Sequence, residues 1–473
     1  MKLEQSAYLA SCRSQLKQLI SLLERDYEYV SVLATDVSGT AYSASQRSQS
    51  IRPYGFGERG FVVRLYGDGG YQEYSFNQLD DIDQLAERIR RQLNSQNGLL
   101  GSLSVSKYET PLVHEENIEK QFAGEIADSI PAIDPAELMK KLKDLSDQGA
   151  AREHVVECAV SFTHVVISKM FLSSRRDLMQ SYGFVTCSLV MLAAKDGQSE
   201  VSRVSDSGWK GTEIIDEVAA RMDECYQDVM CLFGAENVKP GEYTVICPPE
   251  SSGIIAHEAF GHGLEMDMFV KDRAVAKYHM QEKIASDVTD MYDGATNIRD
   301  TASFFFDDEG TLAGETQILK NGYLVAGMSD LLSALRLGVK PSANGRRETY
   351  RRKAYTRMTN TYFGKGDSTL EEMIASTDYG FIIDGAQSGM EDPKNWGIQC
   401  VLSRAREIRD GKLTGKIYSP VILTGYVPDL LANISMVSGD VCTNGNGYCG
   451  KGYKEWVVVS DGGPYIKTKV RLG

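Results

Sequence analysis

Two histidines five residues apart constrain this chain more than any other feature. They stand in the apolar, glycine-flanked stretch Gly253-Ile-Ile-Ala-His257-Glu258-Ala-Phe-Gly-His262-Gly-Leu-Glu265-Met-Asp267. Residues at i and i+4 of an α-helix lie on one face and can share an ion. At about 100° per residue, an i+5 partner points roughly 140° away, so two such imidazoles cannot. The segment reads as helical over Ile254–Phe269, so the helix must bulge by one residue or end before His262. Gly261 and Gly263 supply backbone freedom for either solution. Glu258, next to the first histidine, has little reason to sit on an apolar helix unless it serves chemistry there or caps something. The competing reading is a pair of core histidines with satisfied hydrogen bonds.

A hydrolytic metal site needs three protein ligands and an open position. The other four histidines, His114, His154, His164 and His279, stand in no motif. Candidates for the third ligand are Glu265, Asp267 and a cysteine. Cys449 lies in the glycine-rich stretch Asn444-Gly-Asn-Gly-Tyr-Cys-Gly-Lys-Gly452, where small neighbours permit close approach and Lys451 favours a thiolate. Cys442 is the alternative thiol. Spacing alone does not choose among them.

A length of 473 residues exceeds one ordinary core, so two domains are expected, 1–237 and 238–473, divided within Ala235–Gly241. The first half opens with a helix to about Arg25. Strands follow at Tyr29–Thr35, Gly60–Tyr66 and Tyr71–Phe76, bounded by the polar run Ser38–Ser50, then an exposed helix at Asp80–Gln96. Asn97–Ile133 reads as a polar loop, and a helix starts near Pro135. Strands dominate His154–Val204, and one helix covers Thr212–Phe233. The second half is glycine-punctuated and β-rich, with the histidine segment as its one strongly helical stretch. The fold class is α+β: a mixed N-terminal domain and a β-rich C-terminal domain carrying the metal-site helix.

The net charge of −14, with no basic stripe interleaved with aromatics, argues against nucleic acid as a partner. No apolar run is long enough to span a bilayer, and Met1–Arg13 has no signal-like stretch, so a cytoplasmic location without membrane attachment is expected. Nine scattered cysteines fit reduced thiols in that compartment.

The motif His257-Glu-Ala-Phe-Gly-His-Gly-Leu-Glu265 resembles the signature of the TldD/PmbA family of metallopeptidases, in its metal-bearing TldD-type branch. Further blocks resemble that family in the same order: Asp307-Asp-Glu-Gly310, Ile318-Leu-Lys-Asn-Gly322, Asn344-Gly-Arg-Arg-Glu348, Arg357-Met-Thr-Asn360 and Gly447-Tyr-Cys-Gly-Lys451. In the first half the likeness is looser, and after Lys451 the chain departs from it with Tyr453-Lys-Glu-Trp456. The resemblance implies a Zn2+ ion held by His257, His262 and Cys449, with Glu258 as general base. It also implies cleavage of small or unfolded peptides, and a homodimer or a heterodimer with a metal-less family member.

Glu265 and Asp267 are then expected to orient an imidazole through its second nitrogen, or to form a solvated helix end. Arg346, Arg347 and Arg357 are expected in surface salt bridges before any role on a carboxylate or oxyanion. Asp307 and Asp308 suggest a turn as readily as a metal site. Two other functions compete: a catalytically silent or regulatory subunit of a peptidase complex, and a modulator of a DNA-handling enzyme. The first conflicts with an intact His257, Glu258, His262 and Cys449, the second with the acidic balance.

Overall fold

The structure, a computed structural model, describes residues 2–79, 81–101, 109–126, 134–452 and 455–473. All strands of one eight-stranded sheet precede residue 209; all strands of the other sheets follow residue 240. The large sheet is built on two long antiparallel strands, Val155–Ser173 and Arg176–Lys195. Tyr29–Ala44 pairs with the first of these and with Glu58–Gly67. Helices Ala7–Leu23 and Ile82–Gly101 bury Leu9, Leu16, Leu19, Leu85 and Ile89 on one part of it, over Val32, Val63 and Met170. Helices Pro135–Ala150, Ile214–Ala220 and Met222–Leu232 cover another part through Leu142, Val218 and Val229.

Several elements differ from the sequence reading. The polar run Ser38–Ser50 does not end a strand: Tyr29 continues to Ala44 and returns in Gln49–Pro53, because serines along this ribbon bond one another, as Ser43 and Ser50 do at 2.9 Å. The loop expected over Asn97–Ile133 contains the end of the second helix and the strand Ile118–Ala123, which adds in parallel to Arg176–Lys195. Parts of that stretch lie outside the described residues, as do Asp80, Met1 and Tyr453–Lys454. The single helix read over Thr212–Phe233 is broken at Arg221.

In the second half, Tyr379–Asp392 pairs with both Gly241–Cys247 and Gly397–Arg409. Ile466–Leu472 and Val421–Tyr426 complete the ring, so five strands close into a small barrel. Closure removes the barrel's unpaired edges. A six-stranded sheet stands beside it. There Asn360–Phe363 runs parallel to Glu455–Gly463, which pairs with Cys442–Lys451 at the sheet edge. The histidine segment is wedged between barrel and sheet, burying Ile255, Ala256, Ala259 and Phe260 in the main core with Met358, Phe363 and Val459. With mixed layers of helix and strand, the fold is α+β. No helix among the described residues is long and apolar enough to cross a membrane.

Candidate metal centre

The chain enters the site as a short α-helix, Pro249–Ile254, and then widens. Ile255–Gly261 is a π-helical turn, and the backbone N–H of His262 donates to the carbonyl of His257. An i→i+5 hydrogen bond stacks residues five apart, which is the bulge the spacing demands. The two imidazoles meet with ring centroids 5.1 Å apart at an interplanar angle of 90°. The segment ends in a 3-10 turn, His262–Leu264, and Glu265 turns extended.

The glycines act by size rather than by torsion. Gly261 has ordinary helical angles, φ −60° and ψ −54°. A methyl group there would overlap the buried Sδ of Met358, and one at Gly263 would overlap Glu391 Oε1. Gly389 likewise leaves room for the Glu258 side chain.

Cys449 arrives from the sheet edge. Its Sγ lies 3.3 Å from His262 Nε2, and one ligand atom from each of His257, His262 and Cys449 falls within 4.8 Å of the others. Cys442, seven residues earlier on the same strand, is exposed and belongs to no such group among the described residues. His257 and Cys449 are 4% and 6% exposed. All nine cysteines are free thiols.

The electrostatics suit a thiolate. Burial pushes the Cys449 thiol up, but the His257 and His262 imidazoles outweigh it and hold it well below the usual range. Burial works against protonating His262, yet Cys449 and Glu265 raise it well above the ordinary histidine value. A thiolate beside two polarised imidazoles is a ready donor set, and binding an ion would displace their protons.

Glu265 accepts from or faces His262 Nδ1 at 3.2 Å, leaving Nε2 aimed at Cys449. Burial raises the Glu265 carboxyl, but Lys451, His262 and Arg357 bring it down to about 2. Asp267 takes no imidazole: it pairs with Lys451 at 2.6 Å and Lys271 at 3.0 Å. Lys451 therefore serves these carboxylates rather than the thiol. Glu258 reaches the site without joining the three donors, its Oε2 4.0 Å from His262 Nε2.

The expected surface role is overturned by burial for Arg347 and Arg357, while Arg346 is half-buried. Arg357 is enclosed, donating to the carbonyls of Cys449 at 2.6 Å and Glu455 at 3.1 Å, with Glu265 Oε1 at 3.7 Å. It fixes the strand that carries the thiol. Arg347 pairs with Glu73 of the first half. Arg346 donates to the Met358 carbonyl at 2.7 Å. Asp307 does form a turn, accepting from the backbone N–H groups of Glu309, Thr311 and Gly345. Asp308 pairs with Lys169.

Two carboxyls at the site escaped sequence reasoning. Asp461 Oδ2 lies 4.0 Å from His257 Nδ1, a buried nitrogen with no hydrogen-bond partner among the described residues. Burial pushes this carboxyl up to about 6 against the pull of His257. Glu391 accepts from the Gly263 N–H at 2.8 Å and is raised well above the usual range by burial. Neither stands in a motif; only the register of the sheet and barrel brings them in.

Two histidines and a cysteine whose ligand atoms lie this close, with a carboxylate beside them, could hold a metal ion. Residues 240–470 match the model of the PmbA/TldA metallopeptidase C-terminal domain. This second half of the chain belongs to the TldD/PmbA family. A protein named metalloprotease from Methanothermobacter thermautotrophicus is 27% identical over 416 residues, covering 87% of each chain. A zinc metalloprotease TldD homolog from Saccharolobus solfataricus is 31% identical over 235 residues, 49% of this chain and 51% of that one. The crystal structure of TldE from Thermococcus kodakarensis superposes with a TM-score of 0.75 at 18% identity, over 97% of this chain and 100% of that one, which shows the shared fold.

Proposed function

We propose that this chain is a zinc-dependent peptidase acting on small or unfolded peptides. The observation that carries the reading is the convergence of His257, His262 and Cys449 within 4.8 Å, from segments 187 residues apart. Two imidazoles and one thiolate fit zinc, which takes nitrogen and sulfur ligands and in catalytic sites keeps a fourth position open. The low-lying thiol and the unpartnered His257 Nδ1 suit that assignment. When bound, zinc supplies Lewis acidity, bringing a water toward ionisation near neutral pH and polarising the scissile carbonyl.

The chain's own groups do the rest. Glu258 takes the water's proton on a carboxylate oxygen and passes it to the leaving amine nitrogen. Glu265 holds His262 in one tautomer, its Nδ1 toward the carboxylate, while Arg357 and Lys451 keep Glu265 ionised. Burial of the donors excludes bulk water, and an extended substrate pairing with a strand edge would present one carbonyl to the site. Residues 238–473 supply every donor. The reading extends to a cytoplasmic protein that works as a homodimer or with a metal-less family member, binding peptide and neither nucleic acid nor membrane. Metal analysis of the purified protein, with cleavage of an unstructured peptide before and after chelation, tests it. One zinc per chain and chelator-sensitive cleavage are expected; a zinc-free protein, or cleavage indifferent to the chelator, rejects it.

A further inference from the structure

Between the halves lies a solvent-open cleft that the chemistry above does not use. Tyr54, Glu58 and Lys169 line it from the first half, Arg346, Tyr448 and Trp456 from the second. Side chains alternate along a strand, so Tyr448 faces away from its neighbour Cys449. The cleft therefore backs onto the donor set instead of containing it.

Its charges are matched with one exception. Lys169 pairs with Asp308 and Arg347 with Glu73. Asp307 is occupied by three backbone N–H groups. Glu348 accepts the Trp456 N–H at 3.0 Å and faces Arg352 at 3.6 Å. Glu58 accepts the Tyr350 N–H at 3.0 Å, and burial pushes its carboxyl up to about 7. Arg346 is left over. It bonds one carbonyl and lies 5.7 Å from the centre of the Phe304 ring, but no carboxylate among the described residues is at ion-pair distance. Above it stands an aromatic rim: Phe56 stacks on Tyr448 at 5.4 Å, and Tyr448 and Trp456 are 43% and 41% exposed.

We propose that Arg346 anchors a second binding site, for a carboxylate carried beside an aromatic or aliphatic group. A guanidinium fork matches a carboxylate in two parallel hydrogen bonds, and a half-buried cation without a counter-charge gains from acquiring one. A bound carboxylate supplies the missing charge, while Phe56, Tyr448 and Trp456 take the apolar part. The acidic groups nearby do not forbid this, since Asp308 is neutralised by Lys169 and Glu58, pushed up to about 7 by burial, is only about half ionised at neutral pH. A peptide C-terminus and a small free carboxylic acid share this chemistry.

The test is calorimetric titration of the full-length protein with 3-phenylpropionate and with 3-phenylpropionamide. Neither contains a peptide bond, and titrating chelated protein keeps the carboxylate from any ion at the His257, His262 and Cys449 donors, so the result is independent of metal and peptidase activity. The acid is expected to bind about tenfold or more tighter than the amide. Arg346→Met is expected to erase that preference, and Arg346→Lys to keep part of it. Equal binding of acid and amide, or no binding of either at millimolar concentration, overturns the proposal without recourse to a variant. A peptide ending in phenylalanine, titrated in competition on chelated protein, separates the two sources. With isotope-labelled 3-phenylpropionate bound first, its displacement by the peptide at lower concentration than by unlabelled 3-phenylpropionate assigns the site to peptide termini, displacement at higher concentration to small free acids, and no displacement by either ligand overturns it.

Discussion

Glu258 and Cys449 carry the two residue-scale predictions that separate metal binding from chemistry. Glu258 lies 4.0 Å from His262 without joining the three donors, so Glu258→Gln is expected to keep its zinc and lose cleavage by about 100-fold or more. Near-normal turnover of that variant, measured on a short peptide, removes Glu258 from the mechanism. Cys449→Ala is expected to lose the zinc and retain the fold, whereas Cys442→Ala, altering an exposed thiol, keeps both. Zinc content of the two purified variants decides between the thiols, and the reverse result would show that the wrong one was assigned. At this scale the sequence was legible where identity and spacing carry chemistry, as with His257, Glu258 and His262. It was silent on Asp461 and Glu391, which approach the histidines only because sheet and barrel strands fall in a particular register. It misjudged Arg357, because nothing local distinguishes an arginine buried beneath a strand from one at the surface.

The π-helical turn is the element on which the site depends, and its spacing made it foreseeable. What the spacing did not disclose is why glycine is needed there: Gly261 adopts helical angles, and its absent side chain makes room for Met358. Gly261→Ala is therefore expected to destabilise the protein by about 1–3 kcal/mol through overpacking and to weaken zinc retention. Adding Met358→Ala should recover part of the retention by freeing that space. Thermal melts and zinc content of the single and double variants check this, and a double variant no better than Gly261→Ala assigns the glycine to torsion after all. The turn's exit has a pH dependence of definite sign. Glu265 is held down to about 2 by Lys451, His262 and Arg357 despite burial, below the unfolded value of about 4.3. It stabilises the fold fully above about pH 4.3, and that contribution fades as pH falls toward 2. Zinc-free wild type and Glu265→Gln should differ most in denaturant midpoint at neutral pH and converge only as pH falls through about 2. An unchanged gap across that range means the carboxylate is not stabilised by its charge.

At the scale of the whole molecule, the two halves are tied by buried charge. Arg64 of the first half reaches Glu309 of the second at 2.5 Å, Lys169 pairs with Asp308, and Arg347 with Glu73. Composition and periodicity showed two regions of different texture but not these ties, because the partners are 139 to 274 residues apart and each alone reads as a solvated charge. The same assembly limits what can reach the donors. His257 stands in a turn wedged between a closed barrel and a sheet, and Cys449 comes from that sheet's edge strand. An ion held at such depth can be met by a single extended chain, whose free backbone groups can pair with the edge, but not by a folded domain, which is too wide and has its backbone already paired. Binding through main-chain hydrogen bonds should also leave sequence preference weak. One substrate protein, presented first folded and then after reduction and alkylation of its disulfides so that it stays unfolded, gives a direct comparison alongside short peptides. The unfolded form is expected to be cleaved at least about tenfold faster, at many positions, with rates near those of the peptides. Equal rates on both forms would mean that a folded surface reaches the donors, which the burial of His257 and Cys449 forbids unless barrel and sheet separate during turnover.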